Sequence, residues 1–316
     1  MSEEHTKDIH RYSFSRLETF KTCPRKHHYL YVEQLPEPTN EYLLKGKLFH
    51  KAVETILKGE DIEPIYQEWK DNVDQGIINC DRDQLEYSIN MYFSFYYKNY
   101  EEENTIAIEQ DFEKPLEDQD FFVGKIDQIY DKNNLLVVRD MKTTGSPLKY
   151  SFDMVKDNMQ LLTYVEPTEK LLNRKVDAIE IDEVRLAKLD ESVPLNKNGK
   201  PSKSLDTLSL TTAELYRDEL ERQNLLDDPG YAAVLALLEQ RGHPLFNRVL
   251  VQLSNRNLLD DNNEEMASLY LGAALDIKYR IKETSKCFMC PFRQICEHDQ
   301  YGAGDLLRNK IIENNQ

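Results

Sequence analysis

The chain has 316 residues, with 57 acidic residues against 40 lysines and arginines and a formal net charge of -17. This charge argues against a protein that is held on nucleic acid by a uniformly basic surface. A hydrophobic content of 40% excludes a chain that is disordered throughout. The length is enough for one large domain or two smaller ones.

The sequence gives no sign of membrane attachment or export. The longest apolar stretch, around residues 231–238, is too short to cross a bilayer. The N-terminal residues MSEEHTKDIH lack the basic and apolar regions of a signal peptide. We therefore expect a cytoplasmic protein with no membrane partner.

The first part of the chain, residues 1–104, is predicted to be an N-terminal helical region. The capping-box sequence Ser15-Arg16-Leu17-Glu18 predicts a helix that runs past Cys23 towards Tyr31, and the prolines at 36 and 38 end that region. Further helices are predicted over residues 42–57 and 84–100.

Near residue 105 the hydrophobic period changes to two, which is typical of strands. Ile106 and Ile108 alternate with polar residues, and strands are predicted over 121–130 and 135–140 with a turn of Asp and Asn residues between them. A helix over 153–172 and a strand over 176–186 follow. Residues 105–190 are therefore predicted to form an α/β core that begins with an antiparallel meander.

The third region, residues 191–316, is predicted to belong to the same integrated domain. It contains an exposed polar loop at 196–204, a helix capped by Thr211-Thr212-Ala213-Glu214, a second helix, a strand near 245–253 and a long helix near 263–282. Residues 308–316 are expected to be frayed.

Asp127, Asp140 and Lys142 form the most informative group of polar residues. Asp140 and Lys142 are two residues apart and share one face of an extended chain. Asp127 approaches the same face if the two predicted strands pair through their turn. Two carboxylates beside an amine suit Mg²⁺, which can lower the pKa of a bound water and neutralise charge on phosphorus. Taken alone, Asp-x-Lys is also explained by a solvated strand end.

Other polar residues extend this pattern along the chain. Gln160 and Tyr164 are four apart on a predicted helix, so both face one direction and could contact a phosphate or orient the lysine. His50 ends the sequence Gly46-Lys47-Leu48-Phe49-His50, and a single histidine on an apolar helix face is more often a core residue. Glu109 could be an accessory acid, but a solvent-facing glutamate is favoured.

The order Gly-x-x-x-His, Gly-x-x-Asp, Asp-x-Lys and Gln-x-x-x-Tyr resembles the RecB-type branch of the PD-(D/E)XK nuclease superfamily. The resemblance covers about residues 12–185 and implies a restriction-endonuclease-like core, with a central mixed sheet flanked by helices. Asp140 stands where many relatives have Glu, and its shorter side chain could alter the metal spacing.

The same resemblance implies a role for each matched position. The expected ligands of Mg²⁺ or Mn²⁺ are His50, Asp127, Asp140 and the main-chain carbonyl of Met141. Lys142 is expected to act in catalysis together with the two aspartates. Gln160 and Tyr164 are expected to face the DNA.

Three of the five cysteines lie in one short segment, as Cys287, Cys290 and Cys296. In a reducing compartment an odd, clustered set favours a metal over disulfides. Thiolate sites select zinc or iron–sulfur clusters and need a fourth ligand. The remaining candidates for this ligand are Cys23 and Cys80.

One N-terminal cysteine followed by Cys-x2-Cys-x5-Cys after the core resembles the iron–sulfur nucleases of this superfamily. They include the AddB nuclease domain and the CRISPR-associated RecB-like exonucleases. By this resemblance Cys23 joins Cys287, Cys290 and Cys296 in holding a [4Fe–4S] cluster in a C-terminal iron–sulfur segment. Cys80 would then be a free thiol, and His298 is expected to be a surface histidine.

The sequence and these resemblances together predict a Mg²⁺- or Mn²⁺-dependent exonuclease that acts on DNA ends and prefers single-stranded DNA. Recombination, repair and CRISPR adaptation all use such enzymes, which implies a bacterial, archaeal or viral origin and a helicase, recombination or CRISPR adaptation partner. Two alternatives stay open, namely a DNA-end-binding or complex-assembly protein with weak or no cleavage and a zinc-stapled structural protein. The insertion between residues 164 and 287 could contact DNA or a partner.

A final expectation concerns charge. Basic residues gather near the histidine motif and near the cysteines, which predicts a basic channel on an acidic body. These residues are Lys21, Arg25, Lys26, Lys45, Lys47, Lys51, Lys278, Arg280, Lys282, Lys286 and Arg293.

Overall fold

A mixed six-stranded sheet forms the centre of the fold, as seen in a computed structural model. The structure describes residues 10–37, 40–97, 103–116, 119–276, 287–288 and 290–299. The strands are β1 (Arg11–Ser13), β2 (Glu103–Pro115), β3 (Phe121–Lys132), β4 (Leu135–Thr144), β5 (Ala178–Arg185) and β6 (Phe246–Gln252). The pairs β1–β3 and β4–β5 are parallel, while β2–β3, β3–β4 and β5–β6 are antiparallel. The α/β class and the antiparallel meander are thus confirmed.

The long strand β3 has a gap along one edge. β2 pairs with one edge over the whole length of β3, from Phe121 to Lys132. The other edge pairs with β1 at residues 121–123 and with β4 at residues 128–132. Residues 124–127 therefore lie where β3 and β4 diverge, and Asp127 is at this fork.

Helices cover both faces of the sheet. They are α1 (Phe14–Thr22), α2 (Pro24–His27), α3 (Glu41–Leu57), α4 (Glu63–Asp74), α5 (Gln84–Tyr97), α6 (Phe152–Lys156), α7 (Met159–Leu172), α8 (Ala213–Arg222), α9 (Pro229–Arg241), α10 (Asn257–Ala274) and α11 (Arg293–Asp299), with a π-helical segment at His28–Val32. Residues 98–100 and 277–282, also predicted to be helical, and the tail at 308–316 lie outside the described residues.

The first predicted helix is wrong in two respects. Its N-cap is Ser13, whose side chain accepts a hydrogen bond from the Arg16 amide. It stops at Thr22 because Cys23 is extended, with φ of -159°, and because Pro24 begins a new helix at the position that proline favours. The predicted helix over 153–172 is likewise split, since Asn158 caps a separate helix α7.

Two main apolar clusters pack against the sheet. On one face α3, α4 and α5 bury Phe49, Trp69 and Tyr92. On the other face α7 packs Leu161 and Val165 against strand residues of β3, β4 and β5. Burial of apolar area at about 25 cal/mol per Å² is the main driving force for this arrangement. It fixes α3 and α7 on opposite faces of the sheet.

A buried ionic network crosses the sheet beneath α5. Arg139 is 1% exposed; its Nη1 donates to Gln128 Oε1 at 2.7 Å, its Nη2 contacts Glu103 at 3.1 Å, and its Nε pairs with Glu180. Arg248 on β6 adds an ion pair of 2.8 Å to Asp182. The network therefore joins the five strands from β2 to β6. Its central residue, Arg139, immediately precedes Asp140 in the chain.

A small helical lobe is inserted between β5 and β6. Helices α8 and α9 enclose a separate apolar cluster around Tyr216, Leu220 and Leu238. The predicted loop at 196–204 contains a turn with Gly199 at φ of 71° and a bridge between Leu195 and Pro201. Among the described residues, no helix is both long and apolar enough to cross a membrane.

Candidate active site

The end of β4 presents Asp140 and Lys142 side by side. Lys142 Nζ lies 2.7 Å from Asp140 Oδ2, which shows that the two side chains share a face. Asp140 is 1% exposed, and burial raises the pKa of its carboxyl group. Burial disfavours the ammonium of Lys142, but the Asp140 carboxylate outweighs this effect and raises the lysine pKa. Lys142 is therefore a cation at neutral pH.

A chain of hydrogen bonds fixes the lysine from helix α7. Lys142 Nζ donates to Gln160 Oε1 at 2.7 Å, and Gln160 Nε2 donates to the phenol oxygen of Tyr164 at 2.6 Å. The Tyr164 ring is 4% exposed and packs against Phe112 with ring centroids 5.7 Å apart. Tyr164 thus lies behind Gln160, and of the two it is Gln160 that reaches the lysine.

Asp127 occupies the fork between β3 and β4. Its Oδ2 accepts a hydrogen bond from the Met141 amide at 2.7 Å, which replaces the missing strand pairing with a side-chain contact. His50 on α3 approaches the same carboxylate, with Nδ1 3.6 Å from Asp127 Oδ2. Burial, and next the charge of Lys142, lower the pKa of His50 to about 4. The imidazole is neutral at pH 7 and can act as a metal ligand.

Glu109 joins this group, contrary to its predicted solvent-facing position. One atom each of His50, Glu109 and Asp127 lie within 4.8 Å of one another. The strand register pairs Ile108 with Gln128 and Gln110 with Ile126, so Glu109 stands opposite Asp127. Its φ of 51° is left-handed, a conformation that departs from regular β-strand geometry. Burial raises the pKa of the Glu109 carboxyl.

The donor set fits a hard divalent cation. Burial, and next the charge of Asp140, raise the pKa of Asp127 to about 8. Two carboxylates and a neutral imidazole converge here, and oxygen-rich sites of this kind suit Mg²⁺ and Mn²⁺. A bound cation would offset the repulsion and burial that now favour protonated carboxyls. Asp140 is not in this close group among the described residues, and its carboxylate is paired with Lys142.

Two glycines of the motifs provide the close packing that assembles the site. A β-carbon at Gly46 would lie 2.7 Å from Thr143 Oγ1, so glycine lets α3 pack directly on β4 and carry His50 to Asp127. A β-carbon at Gly124 would lie 2.6 Å from the Phe112 ring, which itself packs on Tyr164. A β-carbon at either position would clash, so both positions require glycine.

These side chains line an open cleft of about 520 Å³ between α3 and the ends of β3 and β4. Comparison with protein families matches residues 11–297 of the chain to the PD-(D/E)XK nuclease superfamily. The chain belongs to this superfamily. Membership indicates a metal-dependent nuclease, which is a hydrolase, and a nucleic-acid substrate. The mixed sheet with its flanking helices agrees with a restriction-endonuclease-like core.

The other comparisons add little to this PD-(D/E)XK assignment. None of the curated proteins matches the chain. Among solved structures, the crystal structure of SSO0001 is similar with 12% sequence identity and a TM-score of 0.39, over 92% of this chain and 88% of the other. A likeness of this strength carries no argument about activity.

None of the cysteines described in this PD-(D/E)XK protein lines the cleft. Burial raises the pKa of the Cys290 thiol, which packs against the same apolar cluster as Cys296. Among the described residues, no three cysteine sulfurs lie within 4.8 Å of one another. Cys296 is 9% exposed in a cluster with Tyr29 of the π-helical segment. Cys80 instead donates a hydrogen bond to the Asp81 carbonyl. The side chain of His298 lies outside the described part of the chain.

The predicted basic channel is largely neutralised where the structure describes it. Lys21, Lys26, Lys45, Lys51 and Arg293 each form an ion pair with a glutamate. Local clustering of lysines in sequence does not reveal the acids that pack beside them. Lys278, Arg280, Lys282 and Lys286 lie outside the described residues.

Proposed function

We propose that this PD-(D/E)XK protein is a Mg²⁺- or Mn²⁺-dependent exonuclease that hydrolyses DNA from its ends and prefers single strands. The observation that supports this most is the Lys142–Asp140 ion pair of 2.7 Å at the edge of a cleft that also holds Asp127 and His50. Motif residues from three separate segments of the sequence thus converge at one place.

The residues that would hold the divalent ion are His50, Glu109 and Asp127, with Asp140 and the Met141 carbonyl completing the set implied by the superfamily resemblance. When bound, the ion supplies a water of lowered pKa and neutralises charge on the reacting phosphate. His50 contributes a neutral imidazole, since its pKa of about 4 keeps it unprotonated.

Lys142 is proposed to act through its charge. Its raised pKa makes it a poor general base, because the ammonium retains its proton at neutral pH. A fixed ammonium can orient the attacking water and stabilise negative charge on the phosphoryl oxygens. Gln160 holds Nζ in place and Tyr164 holds Gln160, so the pair acts by positioning the lysine.

We also propose that Cys23, Cys287, Cys290 and Cys296 hold a [4Fe–4S] cluster. Cys290 and Cys296 pack with Tyr29 of the π-helical segment, six residues along the chain from Cys23, which supports a metal centre shared by the N-terminal helices and the C-terminal segment. The four-thiolate set suits iron–sulfur or zinc, and the spacing resemblance favours iron–sulfur. The proposed setting is recombination, repair or CRISPR adaptation, with a helicase or adaptation complex as partner.

The enzyme activity is tested with end-labelled single-stranded and double-stranded DNA and with closed circular single strands, in Mg²⁺ or Mn²⁺. Wild-type protein should shorten the linear single strand fastest and leave the circle intact. Lys142→Ala should lose most of this activity, while Lys175→Ala, which changes an exposed lysine outside the cleft, should behave as wild type.

Cleavage of the circular strand would contradict an exonuclease. If Lys142→Ala cleaved DNA as fast as wild type, the activity would come from a different site or from a contaminating nuclease. The main rival is a DNA-end-binding protein with weak or no cleavage. The convergence of His50, Asp127, Asp140 and Lys142 favours an active enzyme over this rival. Wild-type protein that binds ends without shortening them in either metal would favour the rival.

A further inference from the structure

Helix α3 carries a stripe of exposed residues from its first turn to the proposed metal ligands. Tyr42, Leu43 and Lys47 line the same cleft as His50 and Lys142. Tyr42 is 71% exposed and Leu43 is 58% exposed, which is unusual for large apolar side chains beside a catalytic cleft. These residues, which we call the α3 stripe, have no role in the proposed metal chemistry.

Tyr42 lies on the first turn of α3. Its amide donates to the N-cap side chain of Asn40 at 2.9 Å, so the ring stands on the first turn of a 17-residue helix. The ring edge lies beside Gly145, where a β-carbon would be 3.8 Å from Tyr42 Cε1. The ring therefore stands between the start of α3 and the segment that follows β4, at the mouth of the cleft.

The distance from Tyr42 to the site matches a few nucleotides. Eight residues of helix separate Tyr42 from His50, which corresponds to about 12 Å at about 1.5 Å per residue. Stacked nucleotides rise by about 3.4 Å along one strand, so this length corresponds to roughly three or four of them. A strand with its scissile phosphate at Asp127 would reach Tyr42 if it followed α3 along the cleft that both residues line.

The charge along the stripe suits a phosphate backbone. Lys47 is exposed, lies between Tyr42 and His50, and has no carboxylate within ion-pair distance among the residues described by the structure. The neighbouring lysines differ, because Lys45 pairs with Glu41 and Lys51 with Glu68. Lys47 is thus a cation available beside an exposed aromatic ring, the combination found in grooves for single-stranded nucleic acid.

We propose that the α3 stripe is a binding site for single-stranded DNA, in which the Tyr42 ring stacks on an unpaired base and Lys47 contacts a phosphate. The inference rests on the proposed function, since it places the strand in the catalytic cleft. It assigns the preference for single strands to Tyr42, because a paired base keeps its faces inside the duplex. Stacking is tolerant of sequence, so the site accepts any base.

The test is equilibrium binding of a fluorescein-labelled 20-nucleotide oligodeoxythymidine, in EDTA so that no strand is consumed. Tyr42→Ala should weaken binding about 5- to 150-fold, which is the range for loss of one stacked base. Tyr42→Phe keeps the ring and should stay within about two-fold of wild type, whereas Tyr42→Leu keeps apolar bulk and should resemble the alanine variant. A blunt duplex should bind all four proteins about equally.

Lys47 is tested through salt. Lys47→Gln should reduce the slope of log affinity against log salt by about 0.7 for a single strand, while Lys175→Gln leaves the slope unchanged. The proposal would be overturned if Tyr42→Ala bound the single strand as tightly as wild type. It would also be overturned if the variant lost as much affinity for the duplex as for the single strand. The cleavage assay tests a different claim. Absence of cleavage by wild type would contradict the proposed exonuclease activity, whereas the binding measurements in EDTA test the stacking site independently.

Discussion

Glu109 is the residue that most changes the expected metal site. It faces Asp127 across the β2–β3 ladder and joins His50 in one group of possible ligands. A carboxylate in such a position is an oxygen donor of the kind that Mg²⁺ and Mn²⁺ prefer. The site therefore has one more acid than the motifs of the sequence supply.

We expect Glu109→Gln to lower the affinity for Mn²⁺ by at least about ten-fold, because loss of outer-shell partners alone reduces metal affinity 10- to 100-fold. Titration calorimetry of the protein with Mn²⁺ gives the value directly. Glu113→Gln is the matched control, since Glu113 lies on the same strand but pairs with Arg11 at the surface. Equal affinities in the two variants would remove Glu109 from the site.

His27 makes the stability of the fold depend on pH. It is fully buried, and its Nε2 accepts a hydrogen bond of 3.2 Å from Arg16 Nε. Burial, and next the charge of Arg16, lower its pKa to about 4. Between pH 6.5 and 4 the unfolded chain therefore binds a proton that the folded protein does not, so stability is full above 6.5 and falls as the pH falls.

We expect the free energy of unfolding to drop by up to about 3 kcal/mol through His27 across this range. His27→Gln can still accept from Arg16 but cannot titrate, so its stability should vary less with pH than that of wild type. Urea unfolding at pH 7.5, 6 and 5 measures the difference. His10→Gln changes an exposed histidine and is the control, so its stability should vary with pH as that of wild type does. If the stability of His27→Gln varied with pH as much as that of wild type, His27 would not be the source of the pH dependence.

At the scale of elements, the contact between α3 and β4 determines how close His50 comes to Asp127. Gly46→Ala would normally favour a helix by about 1 kcal/mol. Here the new β-carbon meets Thr143 Oγ1, and overpacking of this kind costs about 1–3 kcal/mol. We expect Gly46→Ala to lower the free energy of unfolding, measured by heat or urea. Adding Thr143→Ala to the same chain should recover most of the lost stability. Additive effects of the two changes would disprove a direct clash.

The buried network gives a second prediction for the strands. Arg139→Ala removes the ion pair of the buried Glu180 carboxylate, while Glu103 keeps Lys132 and Arg248, so we expect a loss of about 3–5 kcal/mol in urea unfolding. Arg222→Ala breaks an exposed pair with Glu219 and should change stability by less than about 1 kcal/mol. Losses of similar size would mean that the network is not electrostatically important.

The sequence was informative where contacts are local. The face shared by Asp140 and Lys142, the four-residue spacing of Gln160 and Tyr164, and the turn before β4 all follow from backbone periodicity, and the structure shows each of them. These features need no knowledge of the rest of the chain. They were sufficient to predict the α/β core, while the superfamily was predicted from the resemblance carried by the order of the four motifs.

What the sequence did not reveal depends on pairing over long distances. Glu109 enters the site because of the β2–β3 register and a left-handed residue, neither of which leaves a pattern in the sequence. The helix break at Cys23 does have a signal in the sequence, because Pro24 favours the first position of a new helix. Helix α4 is amphipathic and buries Trp69, and its apolar period could have been recognised.

At the scale of the whole molecule, the N-terminal segment is tied to α10 independently of the cysteines. Phe20 fills the space at Gly272, Tyr12 packs on Tyr270 with ring centroids 5.0 Å apart, and His28 Nδ1 lies 2.8 Å from Asp276 Oδ1. The proposed cluster is therefore a local staple between α2 and the C-terminal segment. Its loss should not dismantle the sheet.

We expect Cys290→Ser to abolish the broad absorbance near ~400 nm of anaerobically purified protein, as for any thiolate-bound iron–sulfur cluster. Amide hydrogen exchange should then rise in residues 23–35 and 290–299 while β3 and β4 keep their protection. Cys80→Ser is the control and should retain the colour. A colourless wild-type protein that contains zinc would contradict the cluster, and uniform loss of protection would contradict a local staple.

The inserted lobe joins β5 and β6, two strands that already pair from Ala178 with Gln252 to Val184 with Phe246. In topological terms the lobe is the loop of a hairpin. The entropic cost of closing a loop, expressed as a free energy, rises by only about 0.6 kcal/mol for each doubling of the loop length. The length of the lobe can therefore change at little entropic cost and without a shift in the register of the two strands.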